Sequence, residues 1–167
     1  MIIGIAGVSR SGKTTLAGII EKILVERGES VLVLHQDDFV FTENKIPKIR
    51  NRTDWECPQS IDFQGFKSAI MEKKARVNHV ITEGLLNFWD SDIDALFDKK
   101  IFVEISKETF LLRRNQEHRW GFEPKWFYEH VWQSYLKYGK KGLDENTIVL
   151  SGEFGFDEKE TAILLGL

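Results

Sequence analysis

The chain is poor in several things, and each shortage closes off a class of protein. Cysteine occurs once, as Cys57, so no internal disulfide can form, which suits a reducing compartment. Long apolar runs are missing: none approaches the roughly 20 residues that cross a bilayer. The N-terminus has no basic lead and no small-residue cleavage site, so it does not read as a secretory signal. The location to expect is the cytoplasm, with no membrane partner. Positive charge is not in surplus either. With 23 Lys and Arg against 26 Asp and Glu, the formal charge is −3 and the pI is near 5.9. That balance argues against a nucleic-acid partner, while leaving room for a local basic site that takes phosphates. There is no internal repeat, low-complexity tract or long linker. What is present, 167 residues of which 42% are hydrophobic and 29% charged, can bury a core and suits one domain, with or without a small lid.

The most informative stretch is Gly7-Val8-Ser9-Arg10-Ser11-Gly12-Lys13-Thr14, followed by Thr15. It fits the phosphate-loop pattern G-x-x-x-x-G-K-[ST]. Its surroundings fit too. Ile2-Ile3-Gly4-Ile5-Ala6 before it reads as a buried strand, and Leu16, Ile19, Ile20, Ile23 and Leu24 after it recur at helical spacing. Glycines let consecutive backbone N–H groups turn inward around a phosphate chain, and the start of the following helix adds unpaired N–H groups and a positive dipole end. Lys13 can reach the outer phosphates and the Thr14 hydroxyl can ligate Mg²⁺.

The rest of the chain alternates strands and helices. A helix over residues 13–27 stops at Gly28. A second strand, residues 30–35, ends in Gln36-Asp37-Asp38-Phe39. Ligands in open α/β sheets bind at the carboxyl ends of strands, so Asp37 is a candidate for chemistry beside the phosphate loop. Asp38 can as well be a turn cap. Residues 40–53, with Lys45, Lys48, Arg50 and Arg52, read as a mobile surface loop with a solvated basic face. In Asp54-Trp55-Glu56-Cys57-Pro58 the proline suits the first turn of a helix bearing Ile61, Phe66, Ala69 and Ile70. There Trp55 either stacks on a base or fills core, and Asp54 either binds sugar or caps the helix. A third strand, residues 79–82, runs into Glu83-Gly84, placing an acid where a second Mg²⁺ contact sits, directly or through water. A fourth strand, residues 100–105, precedes Ser106, a candidate N-cap. The helix it opens carries Arg113, Arg114 and Arg119, of which at least one suits a lid over phosphates. Pro124 opens another helix with a core stripe of Phe127, Val131, Tyr135 and Tyr138; His130 on it reads as a hydrogen-bonded residue and not a metal ligand. A fifth strand, residues 147–150, leads to Ser151-Gly152, a loop that can line an adenine pocket, and residues 157–165 close the chain as a helix. Five strands alternating with helices predict a parallel sheet covered on both faces, with the phosphate loop, Asp37 and Glu83 converging on one edge.

These residues resemble the uridine kinase-like P-loop kinases, and within them the nicotinamide riboside kinases. The matching pieces are the phosphate loop, Gln36-Asp37-Asp38-Phe39, Asp54-Trp55-Glu56-Cys57-Pro58, Glu83-Gly84 with Leu85-Leu86-Asn87-Phe88, Arg113-Arg114, and His130-Val131-Trp132-Gln133-Ser134-Tyr135-Leu136-Lys137-Tyr138. The loop alone is shared by many NTPases; the strand end at Asp37 and the His130 helix are far more specific. The resemblance implies one three-layer α/β P-loop kinase domain over residues 1–167, with a five-stranded parallel sheet and a small helical lid near residues 113–124. It implies a kinase, monomeric or a small homo-oligomer, that uses ATP and Mg²⁺ on a small-molecule riboside. Asp37 would be the catalytic base for the ribose 5′-hydroxyl, helped by Lys13, with Asp38 and Phe39 on the substrate side. Trp55 and Trp120 would flank a nicotinamide ring, whose positive charge suits an aromatic face. Glu56, where the family generally has aspartate, would bind the ribose diol with Arg119; the extra methylene lengthens that contact or marks a different substrate. Thr14 and Glu83 would serve Mg²⁺, and Arg114 the phosphates. A uridine or cytidine kinase on the same scaffold is the nearest alternative, and a nucleotide-binding regulator without transfer activity is another.

Overall fold

A computed structural model describes residues 1–116 and 123–167 of the chain. At its centre is β1 (Ile2–Gly7), buried along its whole length, as its continuous apolar run dictates for a middle strand of a parallel sheet. In chain order there follow α1 (Lys13–Glu26), β2 (Val31–His35), a short hairpin of β3 (Lys48–Ile49) and β4 (Arg52–Thr53), α2 (Phe63–Lys74), β5 (His79–Gly84), α3 (Ser91–Asp94), β6 (Lys99–Glu104), α4 (Lys107–Gln116), α5 (Lys125–Ser134), β7 (Ile148–Ser151) and α6 (Glu158–Leu165). The main sheet has the order β2-β5-β1-β6-β7, with every neighbouring pair parallel. All five strands therefore present their carboxyl ends on one edge.

Helices cover both faces. On one side Leu16, Ala17, Ile20 and Leu24 of α1 and Leu165 of α6 pack on Ile3, Ile5, Ile81, Ile101 and Val103. On the other, Phe110 of α4 and Phe127 and Val131 of α5 pack on Ala6, Phe88 and Phe102, while Phe66 and Ile70 of α2 meet Ile2 and Ile93. Each such buried Leu, Ile, Val or Phe contributes about 1.5–3 kcal/mol. As expected, Ser106 caps α4, its hydroxyl accepting from Thr109 N at 3.1 Å.

Two expectations need correction. The second helix starts at Phe63, not at Pro58. Pro58 opens only a 3₁₀ turn, Pro58–Ser60, which the Ser60 hydroxyl locks by donating to Cys57 O at 2.7 Å and Trp55 O at 2.9 Å. The helix cap is Asp62, whose carboxylate accepts from Gly65 N at 2.9 Å. Residues 40–53 are also more than a solvated loop. Ile46 is buried, Thr53 donates to Glu43 at 2.6 Å, and the guanidinium groups of Arg50 and Arg52 lie 4.5 and 5.4 Å from the ring centroids of Trp126 and Phe127. Cation–π contact docks the hairpin onto α5, because a flat guanidinium covers an aromatic face at little desolvation cost.

Candidate active site

The loop between β1 and α1 is built for close approach. Gly7 has φ 150°, and a Cβ there would lie 2.3 Å from the Val103 carbonyl oxygen; no other residue fits. Gly12 (φ 102°) and Arg10 (φ 68°) also take the left-handed region, which curls the chain into a cup. Lys13, at the base, is buried and donates to Val8 O at 3.0 Å. The Ser11 hydroxyl is fully buried and has no hydrogen-bond partner among the described residues. Val8 is buried, Ser9 and Arg10 half-buried, and Thr14 and Thr15 exposed. An orphaned donor, a glycine cradle and the start of a 14-residue helix fit an anionic chain of phosphates. Burial pulls the Lys13 ammonium below its usual pKa, while Glu83, Asp37 and Glu56 pull it back up; those three acids, far apart in sequence, face the same lysine.

Each acid is held by its own device. Beyond β2 the chain makes a 3₁₀ turn, Gln36–Phe39. Gln36 is buried and accepts from Leu86 N at 2.9 Å. Gly84 makes room for it, since a Cβ at that position would come within 2.5 Å of the Gln36 Cβ. This pins the turn to the end of β5 and fixes Asp37 at the cleft. Asp37 retains an open surface. The protein around it raises its pKa, Lys13 opposes, and Glu83 and Asp38 add to the rise. Asp38 is exposed, and Phe39 packs its ring 5.0 Å from that of Phe66. Glu83 is buried at the tip of β5. One of its oxygens accepts from the Thr14 hydroxyl at 3.1 Å and from His35 Nδ1 at 2.7 Å. His35 went unnoticed in the sequence reading; the signal was there, a lone polar residue ending an apolar strand and falling opposite Glu83 in register.

The outer wall is the 54–57 segment. Asp54 does not cap a helix: its Oδ1 is 2.8 Å from His130 Nε2, which bears out His130 as a hydrogen-bonded residue and ties this segment to α5. Trp55 is 42% exposed, so it does not fill core. Burial pushes the Glu56 carboxyl up to about 7, Arg114 and His130 opposing and Asp37 and Asp54 reinforcing. Arg113 and Arg114 divide their tasks. Arg114 donates to the Ser9 hydroxyl at 3.2 Å and to Glu123 at 2.9 and 3.1 Å, so it sits over the phosphate loop with a carboxylate on its other side. Arg113 donates to Arg10 O at 2.9 Å and to Gly152 O and Glu153 O, each at 2.8 Å. Arg119 and Trp120 lie outside the described residues.

A phosphate loop at the tip of the central strand β1, with one acid at the tip of β5 beside it and another just past β2, one strand further out, defines a P-loop kinase. Solved structures share this fold: a shikimate kinase from Bacteroides thetaiotaomicron (TM-score 0.64, 17% identity, 100% of this chain and 99% of that one) and a possible uridine kinase from Bacillus stearothermophilus (TM-score 0.58, 18% identity, 89% and 88%). No protein-family model matches the chain. Curated relatives do. Nicotinamide riboside kinase 1 of Homo sapiens is 30% identical over 160 residues, 86% of this chain and 78% of that protein, and the uridine kinase of Leuconostoc citreum is 29% identical over 139 residues, 68% and 66%. The chain belongs to the nicotinamide riboside kinase and uridine kinase-like family of P-loop kinases.

Proposed function

We propose that the protein transfers the terminal phosphoryl group of ATP to the 5′-hydroxyl of a riboside, nicotinamide riboside above all, and that the whole chain acts as one kinase domain with a lid around residues 113–124. What supports this is the phosphate loop with Glu83 tied to its Thr14 at 3.1 Å and with Asp37 and Glu56 near enough to act on the charge of Lys13. A regulator that only bound nucleotide would need the loop but not three acids facing it from separate segments.

The phosphate loop cradles the nucleotide tail with backbone amides and the Ser11 hydroxyl, and Lys13 meets the outer phosphates. Thr14 and Glu83, 3.1 Å apart, are the pair that would hold Mg²⁺, Glu83 directly or through water; the oxygen donors suit that ion, which takes its remaining ligands from phosphate and water. When bound, the ion neutralises charge on the phosphates. His35 orients Glu83. Asp37 accepts the proton of the attacking hydroxyl, and its raised pKa makes it a better base than an ordinary carboxylate. Glu56 accepts from the ribose diol, and Trp55 offers its exposed face to the ring, with Trp120 assigned the opposite face and Arg119 the diol on the resemblance alone. Arg114, beside Ser9, adds positive charge where the phosphoryl group passes. Such catalysis is positioning plus electrostatics.

Purified protein, ATP, Mg²⁺ and a panel of nicotinamide riboside, uridine and cytidine test the reading through ADP release. Release only with a riboside, and the highest kcat/KM for nicotinamide riboside, is the expected result. A higher kcat/KM for uridine overturns the substrate; ADP release without any riboside overturns the transfer.

A further inference from the structure

Arg114 leaves the last turn of α4 and carries its charge into a place with little water. Its side chain is 11% exposed and that of Glu123 is 15% exposed. Charges so far from solvent need a partner of opposite sign. Here the partner grips by geometry as well as by charge. Nε and Nη2 of Arg114 donate to the two oxygens of Glu123 at 2.9 and 3.1 Å, a fork on a fork. That fixes one edge of the guanidinium, and its plane with it. The remaining corner, Nη1, is turned to the Ser9 hydroxyl of the phosphate loop at 3.2 Å. The guanidinium carbon lies 6.0 Å from the ring centroid of Phe110, 5.8 Å from that of Phe127 and 5.7 Å from that of Tyr128, contacts that favour a cation between α4 and α5. Glu123 comes off a stiff stretch of chain, since Pro124 follows it and restricts the backbone of the residue before a proline. A carboxylate here makes little sense if charge were all that mattered, because it cancels much of what Arg114 brings to the phosphates. A second acid also acts on the same guanidinium: burial raises the Glu56 pKa, and Arg114 is the strongest influence opposing that rise. An arginine left loose between the phosphate loop and Glu56 has both as destinations. What Glu123 supplies is direction.

We infer that Glu123 is a positioning residue for phosphoryl transfer: by holding two corners of the Arg114 guanidinium it aims the third at the phosphate loop and keeps the side chain from Glu56. The inference rests on the kinase reading above. A donor set in place before the reaction loses no freedom when charge spreads over the transferring phosphoryl group, and preorganised donors act most at that point. Glu123 acts only through Arg114, so its effect on turnover exists only while that arginine is present.

A double-mutant cycle on the full-length chain tests this, read as riboside-dependent ADP release with ATP, Mg²⁺ and nicotinamide riboside, or uridine should that prove the better substrate. Glu123→Gln should lower kcat about 10- to 100-fold, the usual cost of leaving a catalytic group unsupported, and leave the KM for ATP within about twofold. In an Arg114→Ala background the same change should cost less than about twofold, because nothing is left to aim. Glu123→Asp, which keeps a carboxylate, should recover part of the loss. Thermal melts give the folded fraction of each variant at the assay temperature. Glu123→Gln with the kcat of the parent overturns the inference, and so does an equal cost of Glu123→Gln with and without Arg114. An Arg114→Ala variant that turns over like the parent overturns it too, as does Glu123→Asp no faster than Glu123→Gln. A loss that follows the folded fraction, or that falls on the KM for ATP as much as on kcat, marks a disturbed fold or phosphate loop and overturns it as well. All of these leave the kinase reading standing. A parent without riboside-dependent ADP release brings down the kinase reading and this inference with it.

Discussion

Replacing Glu56 with glutamine should make the protein more stable, and the gain should grow with pH. The carboxyl has its pKa raised from 4.5 to about 7, chiefly by burial. The unfolded chain loses this proton near the lower value and the folded protein near the higher one. Between them the folded state holds the extra proton, so stability falls as pH rises through the window, is untouched below it, and levels off above about 7. At 1.36 kcal/mol per pH unit, the span amounts to about 3 kcal/mol. Glu56 is half-buried by surface area, and solvent screens part of the cost, so about 1–2 kcal/mol is the figure to look for. Glutamine has the same shape and no charge. Urea unfolding of the parent and Glu56→Gln at pH 5 and pH 8 gives four free energies, and the difference of differences removes every pH-independent effect of the substitution. The variant should gain about 1–2 kcal/mol more at pH 8 than at pH 5, and its KM for the riboside should rise. An equal stability gap at the two pH values would refute the burial argument. A gain in stability without loss of riboside affinity would refute the role in sugar binding, because the cost of charging Glu56 is then unconnected with function.

Asp37→Asn should retain ATP affinity and lose turnover by about 10²-fold or more, the usual size of a general-base effect; single-turnover phosphorylation reads it, and intact turnover removes Asp37 as the base. Because the Asp37 pKa is raised and the base must be ionised, kcat/KM in the parent should fall on the acid side at a pH above the ordinary aspartate value, and that limb should vanish in Asp37→Asn. Gly84→Ala drives a Cβ to 2.5 Å from the Gln36 Cβ and should cost about 1–3 kcal/mol of stability together with activity, measured by denaturation and ADP release; an unaffected protein would show that the Gln36 turn is not wedged there. His130→Ala removes the 2.8 Å tie to Asp54 and should raise the riboside KM about tenfold, by the size of a charged hydrogen bond, with the KM for ATP unchanged; equal effects on both would mean that α5 has moved as a whole.

Which parts of this could be read from the residues follows from how local their causes are. The five strands, their parallel arrangement and the phosphate loop are written in short patterns: an apolar run, glycines at fixed spacing, a helical stripe. That Asp37 and Glu83 share an edge follows from the rule that parallel strands point the same way. The start of α2 was misplaced because Pro58 is a local signal for a helix while Ser60, bonded to Trp55 O and Cys57 O, diverts the chain for one more turn. The docking of residues 40–53 was invisible for a different reason. Arg50 and Arg52 look like solvated charges until the aromatic rings of α5, some 75 residues later, are placed beneath them. Glu123 was overlooked likewise, since only its ion pair with Arg114 gives it a role.

The distribution of charge in the cleft bears on which riboside enters. On the proposed acceptor side stand Asp37, Asp38, Asp54 and Glu56, with Glu83 at the phosphate loop beside Thr14. Of the cations, Lys13 lies at the base of the phosphate loop and Arg114 is held by Glu123 and Ser9, while the His130 imidazole is engaged with Asp54. In the proposed kinase the two ends of the site thus differ in sign: amides and a lysine for the phosphates, carboxylates for the sugar. The Glu56 carboxyl, raised to about 7 chiefly by burial and further by Asp37 and Asp54, feels that crowding of acids. A ring that carries its own positive charge makes the potential at those carboxylates less negative on entering, and an exposed indole at Trp55 attracts the same charge. Uracil, neutral and in need of hydrogen bonds at its edge, gains from neither. If this is what selects the substrate, ring charge and not ring size will order the ribosides in the kinase panel.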